Sequence, residues 1–360
     1  MSRSFSIVAC VLALLVSCAR PRPAPPPATA TLPTKPPEIR AVWVSDTPKL
    51  NWDTATADLQ RAGFNTMYVN FASAGAAFYP RSYVLPDASA GNDIARGIGL
   101  AHQRGLEVHA KLITFFMFKA TPEFQSKLIK AGRVMRTPDG KAALQTGNAW
   151  LCPTQPINRA QIESVITEML SRYRVDGLQF DYIRFFEEPT CFCAHCRQSF
   201  ELATDQRVRR WPADVQGGPA TEQFFAWRRK VINDCIRQFS DAARRARPGI
   251  KLSASVFMDL DRARQERAQD WRLWLDRGWI DYVATMTYRP DPREFEAYLR
   301  KQGSWAGARN RVVAGIGSWK LERMPELQAQ IDITRRLGAP GFALFSYDDA
   351  AARGFLPNLQ

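Results

Sequence analysis

Eight short apolar, β-branched runs alternate with helical segments along most of this chain, and that alternation restricts the fold more than any other feature. The runs fall at residues 39–45, 66–72, 107–115, 177–184, 251–257, 281–288, 311–319 and 341–347. Between them the apolar spacing takes a helical period at 53–62, 93–104, 158–173, 222–246, 270–277, 292–302 and 325–337. Glycines close several of these helices, as at Gly63, Gly105 and Gly338. Strands that read as continuous apolar runs are covered on both faces, as in a parallel sheet wrapped by helices. Eight such units predict an α/β chain folded as a closed (β/α)8 TIM barrel, with long loops after strands three and four. The competing doubly wound sheet carries a Gly-rich turn after its first strand. Here that strand runs out into Val44-Ser45-Asp46-Thr47-Pro48.

The first 37 residues lack this pattern. Arg3 precedes an apolar stretch, 5–16, that is too short to span a bilayer and reads as the core of a signal peptide. Leu15-Val16-Ser17-Cys18 resembles a bacterial lipobox, which implies cleavage before Cys18 and a lipid on its thiol. Ala19, rather than Asp, implies sorting to a Gram-negative outer membrane, facing the periplasm. Prolines at 21, 23, 25, 26, 27, 33, 36 and 37 make an extended tether that cannot build a core. The expected domains are a signal peptide at 1–17, a lipidated Cys with its tether at 18–37, and a barrel at 38–360.

The formal net charge is +14. The excess is Arg scattered along helices, such as Arg207, Arg209, Arg210, Arg244, Arg245 and Arg247. No basic run alternates with aromatics, so a nucleic-acid partner is not expected. The bland reading is a solvated surface; the functional one is attraction to an anionic polymer or a membrane surface.

In a parallel β/α barrel the reactive groups sit at the C-terminal strand ends. Those ends are rich in polar and aromatic residues here: Trp43, Ser45 and Asp46; Asn70; His109 and Lys111; Gln179, Asp181, Tyr182 and Arg184; Ser255; Thr287 and Tyr288; Ser318, Trp319 and Lys320; Ser346, Tyr347 and Asp348. Aromatic faces stack on pyranose rings, while carboxylates, amides and amines meet hydroxyls. Hydrolysis of a glycosidic bond needs two carboxyl groups, one on each side of it. Asp181 is the first candidate; its structural alternative is an ion pair with Lys111 or Arg184. Asp259, Asp270 and Asp291 are the main candidates for the second, with Asp261, Glu187 and Glu188 also in suitable loops. Trp43, Asn70, Lys111, Gln179, Tyr182, Arg184, Tyr288, Trp319 and Tyr347 are the expected sugar-binding set. No Ser/His/Asp order and no phosphate loop is present. His102 reads as a surface or packing residue and His109 as a hydrogen-bonded interior one.

Asp176-Gly177-Leu178-Gln179-Phe180-Asp181-Tyr182-Ile183-Arg184-Phe185 resembles the fourth-strand motif of bacterial glycosyl-hydrolase-like proteins labelled "family 10 glycosylhydrolase". Glu38-Ile39-Arg40-Ala41-Val42-Trp43-Val44, Gln269-Asp270-Trp271 with Trp274, Ile280-Asp281-Tyr282-Val283, Met286-Thr287-Tyr288 and Gly341-Phe342-Ala343-Leu344-Phe345-Ser346-Tyr347 agree in order. The resemblance implies a TIM-barrel glycosidase, and some lipoprotein members are associated with cell-wall glycan stripped of its peptide stems. Many relatives read Asp-Asp-Tyr where this chain has Asp181-Tyr182, followed by a Pro; here Phe185-Phe186 follow, and strand four offers no second carboxylate.

Cys191-Phe192-Cys193-Ala194-His195-Cys196 lies just after strand four, and Cys152 in the loop after strand three. Four thiolates from two adjacent loops can close a tetrahedral zinc site, with His195 a substitute for one of them. An upstream Cys followed by Cys-x-Cys-x-x-Cys is similar to the structural zinc site of family 42 β-galactosidases. Disulfides are the alternative in an oxidising compartment. Cys235 reads as a buried core thiol. The expectation is thus an envelope-anchored glycoside hydrolase acting on a polysaccharide, most simply N-acetylated glycan strands of the peptidoglycan type. It needs no cofactor for catalysis and holds a structural zinc. The alternative is a glycan-binding lipoprotein that kept the barrel without the activity.

Overall fold

The computed structural model describes residues 37–186, 190–305, 310–356 and 359. The expected signal peptide, Cys18 and all but the last residue of the tether lie outside the described residues, as do Glu187 and Glu188.

Eight parallel strands close into a barrel in sequence order. They are β1 (Ile39–Val44), β2 (Thr66–Ser73), β3 (Glu107–Ile113), β4 (Gly177–Asp181), β5 (Lys251–Phe257), β6 (Tyr282–Met286), β7 (Val312–Gly317) and β8 (Gly341–Phe345). β8 returns to β1, with Trp43 opposite Phe345. Strands 4–8 end two or three residues earlier than their apolar runs, except β5. The lost residues carry the polar side chains: Tyr182 takes a φ of +51°, which no strand accommodates, so β4 stops at Asp181. The ladders thereby release Tyr182, Arg184 and Tyr288 to the mouth.

Helices cover the outside, and their starts explain several sequence signals. Thr121 accepts from the Phe124 N–H and, with Pro122 next to it, begins Pro122–Lys130 inside the loop after β3. A two-rung hairpin pairs Leu144–Gln145 with Asn148–Ala149 in the same loop. Cys193 caps Ala194–Thr204 in the loop after β4. These elements, and the helix Leu260–Glu266, are additional to the eight-unit pattern.

The main apolar core lies between strands and helices. A second, smaller one fills the barrel itself: Ala41, Trp43, Tyr68, Tyr282, Ala284, Val313 and Ala343. Its floor is a polar-edged aromatic plug. The Tyr68 and Tyr282 hydroxyls are 3.1 Å apart, and Tyr282 Oη is 3.3 Å from His109 Nδ1. Gly177 is required beside it, since a Cβ there would stand 2.3 Å from His109 Nδ1. His109 is therefore interior and hydrogen-bonded, while His102 meets Asp176 at the surface, 2.9 Å away.

Candidate active site

Above the plug, the strand ends enclose a cavity of about 260 Å³. β1 gives Trp43, β3 Lys111, β4 and its exit Asp181, Tyr182 and Arg184, and β5 Ser255 and Phe257. Met286, Tyr288 and Phe345 close the far side, and Gln145 and Gln269 enter from loops. A larger groove of about 450 Å³ lies between the outer helices Pro292–Gly303 and Met324–Arg336. Among the described residues its lining holds no carboxylate, which leaves the mouth as the candidate site.

Asp181 faces the barrel interior because strand alternation turns residues 177, 179 and 181 inward. Its Oδ2 accepts from Lys111 Nζ at 3.1 Å, and its Oδ1 from the Tyr182 N–H at 2.8 Å. Lys111 lies two residues from the end of its strand, opposite Gln179, and its side chain is 4% exposed. The partner of Asp181 is thus Lys111. Arg184 instead places its guanidinium over three rings, 4.7 Å from Trp150, 4.9 Å from Tyr182 and 5.2 Å from Phe257. Tyr182 stacks on Phe116 at 5.1 Å. Tyr288 packs against Trp43, Trp319 and Phe345. Loss of water there, then the charge of Asp181, pushes its phenol well above the usual value, so it is a neutral donor.

The other expected residues divide. Gln179 lies one layer deeper, where its Oε1 accepts from Trp43 Nε1 at 2.7 Å and Ser255 Oγ at 3.1 Å, so it orients the mouth tryptophan. Trp319 stands behind Tyr288, with ring centroids 4.8 Å apart. Asn70 donates to the Ser45 carbonyl at 2.6 Å and does not line the cavity. Tyr347 donates its hydroxyl outward to Asp58 at 3.1 Å.

The expected second carboxyls are placed elsewhere. Asp259 accepts from the N–H groups of Asp261 and Arg262 at the start of Leu260–Glu266, and from Lys301. Asp291 caps Pro292–Gly303 in the same way. Asp270 pairs with Arg264 at 3.2 Å, and Asp261 with Lys301 at 3.2 Å. Asp259 and Asp291, each just before a helix, find unpaired N–H groups within one turn, and that local reward holds their carboxylates at the helix starts. Among the described residues Asp181 is the one carboxylate lining the mouth. Gln145 and Gln269 were absent from the sequence reading as site residues. Gln269 had a signal, since it opens the Gln269-Asp270-Trp271 motif; Gln145, in a long loop, had none.

Beside the mouth, Cys152, Cys191, Cys193 and Cys196 are buried with all four sulfurs within 4.8 Å of one another. Cys152 Sγ is 3.4 Å from Cys196 Sγ and 3.8 Å from Cys193 Sγ. A tetrahedron of zinc–sulfur bonds about 2.3 Å long sets its sulfurs roughly 3.8 Å apart, so the set fits a thiolate-bound metal ion. Burial pushes the Cys191 and Cys196 thiols up, while hydrogen bonds from Cys152, Cys191 and Cys196 pull Cys193 far down. The cluster ties the two long loops together: the Arg136 N–H meets Cys191 Sγ at 3.1 Å, and the Phe192 N–H meets the Arg136 carbonyl at 2.9 Å. His195 is not a ligand; its Nε2 meets the Thr154 carbonyl at 3.1 Å. Cys235 is a core thiol, pushed up to about 12 by burial.

Similarity to known proteins agrees with this geometry. The curated glycosyl hydrolase DigH of Escherichia coli K12 is 24% identical over 378 residues, spanning 86% of this chain and 82% of its own. Glycosyl hydrolase YngK of Bacillus subtilis is 23% identical over 293 residues, 70% of this chain and 54% of its own. In fold, the chain is similar to the glycoside hydrolase domain of PgaB (BpsB) from Bordetella bronchiseptica. The TM-score is 0.67 at 16% identity, over 89% of this chain and 99% of that one. It is also similar to a β-galactosidase from Bacillus circulans, with a TM-score of 0.63 at 13% identity over 86% of this chain and 50% of that one. The profile of the family described as "Glycosyl hydrolase-like 10" matches residues 38–326, nearly the whole barrel, and the chain belongs to that family.

Proposed function

We propose that this protein is a glycoside hydrolase of the cell envelope, cleaving a polysaccharide of N-acetylated sugars such as peptidoglycan glycan strands. The observation that carries this reading is Asp181: a carboxylate at the end of β4, paired on one side and open to a cavity walled by Trp43, Tyr182 and Tyr288. Asp181 acts on the sugar as nucleophile or base. Lys111 holds the carboxylate in place, Arg184 and the rings around it grip the polymer, and Gln179 sets the Trp43 ring. Families named for glycosyl hydrolysis, in the two curated relatives and the PgaB domain, support the class. The lipobox-like Cys18 and the proline tether would hold the barrel at the outer membrane, facing the periplasm. Among the described residues no helix is long and apolar enough to cross a bilayer.

A second reading, a glycan-binding protein without activity, is favoured by one observation: a single described carboxylate at the mouth, where acid–base hydrolysis uses two. Incubation of the purified protein with peptide-free glycan strands separates the two. New reducing ends support the enzyme; binding without reducing ends supports the second reading.

The cysteine cluster is proposed as a structural zinc site, since four thiolates leave no open position for substrate. The spacing similarity to family 42 β-galactosidases supports it. Cys152, Cys191, Cys193 and Cys196 would hold the zinc, which would supply a cross-link between their two loops. Elemental analysis is expected to find about one zinc per chain, and its removal by a chelator to lower Tm by roughly 5–10 °C. Protein without metal and without titratable thiols would point to disulfides instead.

A further inference from the structure

Among the described residues that line the cavity, two buried side-chain atoms lack partners, and they have opposite hydrogen-bonding sense. Gln269 is fully buried. Its Oε1 accepts from the Phe257 N–H at 3.2 Å, which fixes the amide and leaves Nε2 with no acceptor. Gln145 reaches the same cavity from the hairpin, and its Oε1 has no donor. Folded proteins leave few buried polar groups unpaired, and both of these belong to residues that line one cavity.

The two senses restrict the ligand group. A carboxylate only accepts, so it meets Gln269 and is repelled by the Gln145 oxygen. An ammonium only donates, so it meets Gln145 and leaves Gln269 unpaired. It also enters a cavity whose described lining holds two cations, Lys111 and Arg184, against one carboxylate, Asp181. A secondary amide carries one acceptor and one donor, and an acetamide adds a methyl group that Met286 and Phe257 can cover.

We propose that Gln269 and Gln145 recognise the acetamido group of the sugar: Gln269 Nε2 donates to its carbonyl and Gln145 Oε1 accepts from its N–H. This rests on the glycosidase reading and adds its specificity. It makes the site one that takes N-acetylated and rejects N-deacetylated units.

Oligomers of N-acetylglucosamine and the same oligomers after chemical N-deacetylation test it, with calorimetric affinity and reducing-end release both measured. Wild type is expected to prefer the acetylated oligomer by about tenfold or more. Gln269→Glu keeps the acceptor that Phe257 uses and removes the donor. It should weaken the acetylated oligomer roughly 10–100-fold and bring the preference towards unity. Gln145→Met, in the half-buried hairpin, should weaken it by roughly threefold to tenfold. It decides the matter if Gln269→Glu fails to fold. A wild type that cleaves both oligomers equally, or folded variants that keep the full preference, overturn the amide pair and leave the glycosidase standing. A wild type that neither binds nor cleaves either oligomer overturns both readings.

Discussion

Glu168 and Asp181 are buried carboxylates on consecutive elements, yet the molecule treats them oppositely. Glu168, on the helix Pro156–Arg172, accepts from Tyr79 Oη, Ser82 Oγ, the Tyr83 N–H and Arg172 Nη1 at 2.8–3.1 Å. Its oxygens are filled from within. Asp181 has one ammonium and one N–H, and its remaining side faces the cavity. A saturated carboxylate serves the architecture, because desolvation is offset only when every lone pair is matched. A carboxylate kept short of partners is waiting for a ligand.

That contrast can be broken by substitution, and the largest effect belongs to the mouth. Asp181→Asn keeps an oxygen for Lys111 but removes the charge. Reducing-end release should fall about 1000-fold, while stability falls by about 1–3 kcal/mol, because the amide oxygen still accepts from the buried Lys111 ammonium. Glu168→Ala should do the reverse. Stripping the anion from four donors costs about 3–5 kcal/mol in a denaturant titration, while kcat of the folded protein stays within about twofold of wild type. Equal kinetic losses in both variants would show that saturation does not separate the two roles.

The smallest effect tests an intermediate case. Glu107 starts β3 at the barrel floor, where His109 first and then Lys251 hold its carboxyl down to about 2. A depressed carboxyl contributes stability that is present above its unfolded value of 4.5 and lost as pH falls towards 2. The Tm difference between wild type and Glu107→Gln should therefore be constant above about pH 5 and close below it. The side chain is 41% exposed, so the gap should be small. A gap that widens on acidification would reverse the assignment.

These differences also explain what the sequence made legible. Alternation of apolar runs specified eight strands, because both periods are written directly in the spacing of Val, Ile, Leu and Phe. Asp181 stood out because a charge inside an apolar run has no local explanation, and Lys111 for the same reason. The four cysteines stood out by spacing. The second carboxyl did not, because Asp259 and Asp291 look alike in sequence whether they serve a helix start or a substrate. Pro292, directly after Asp291, was the available clue to a cap. Gln145 and Gln269 were hidden for a different reason. An uncharged amide becomes informative only when its partners are counted in three dimensions, and one of these two lies in a hairpin that no periodicity announces.

The Tyr68–His109–Tyr282 plug has a consequence for traffic. A barrel stopped at its floor has one door, so whatever enters must leave by the way it came. A polymer cannot be threaded through this protein as through a ring. It must lie across the opening or dip an end or a kink into it, and it slides free only along the rim. Under the proposed function, grip and release would then fall to the long loops that border the door, the two that carry the four cysteines.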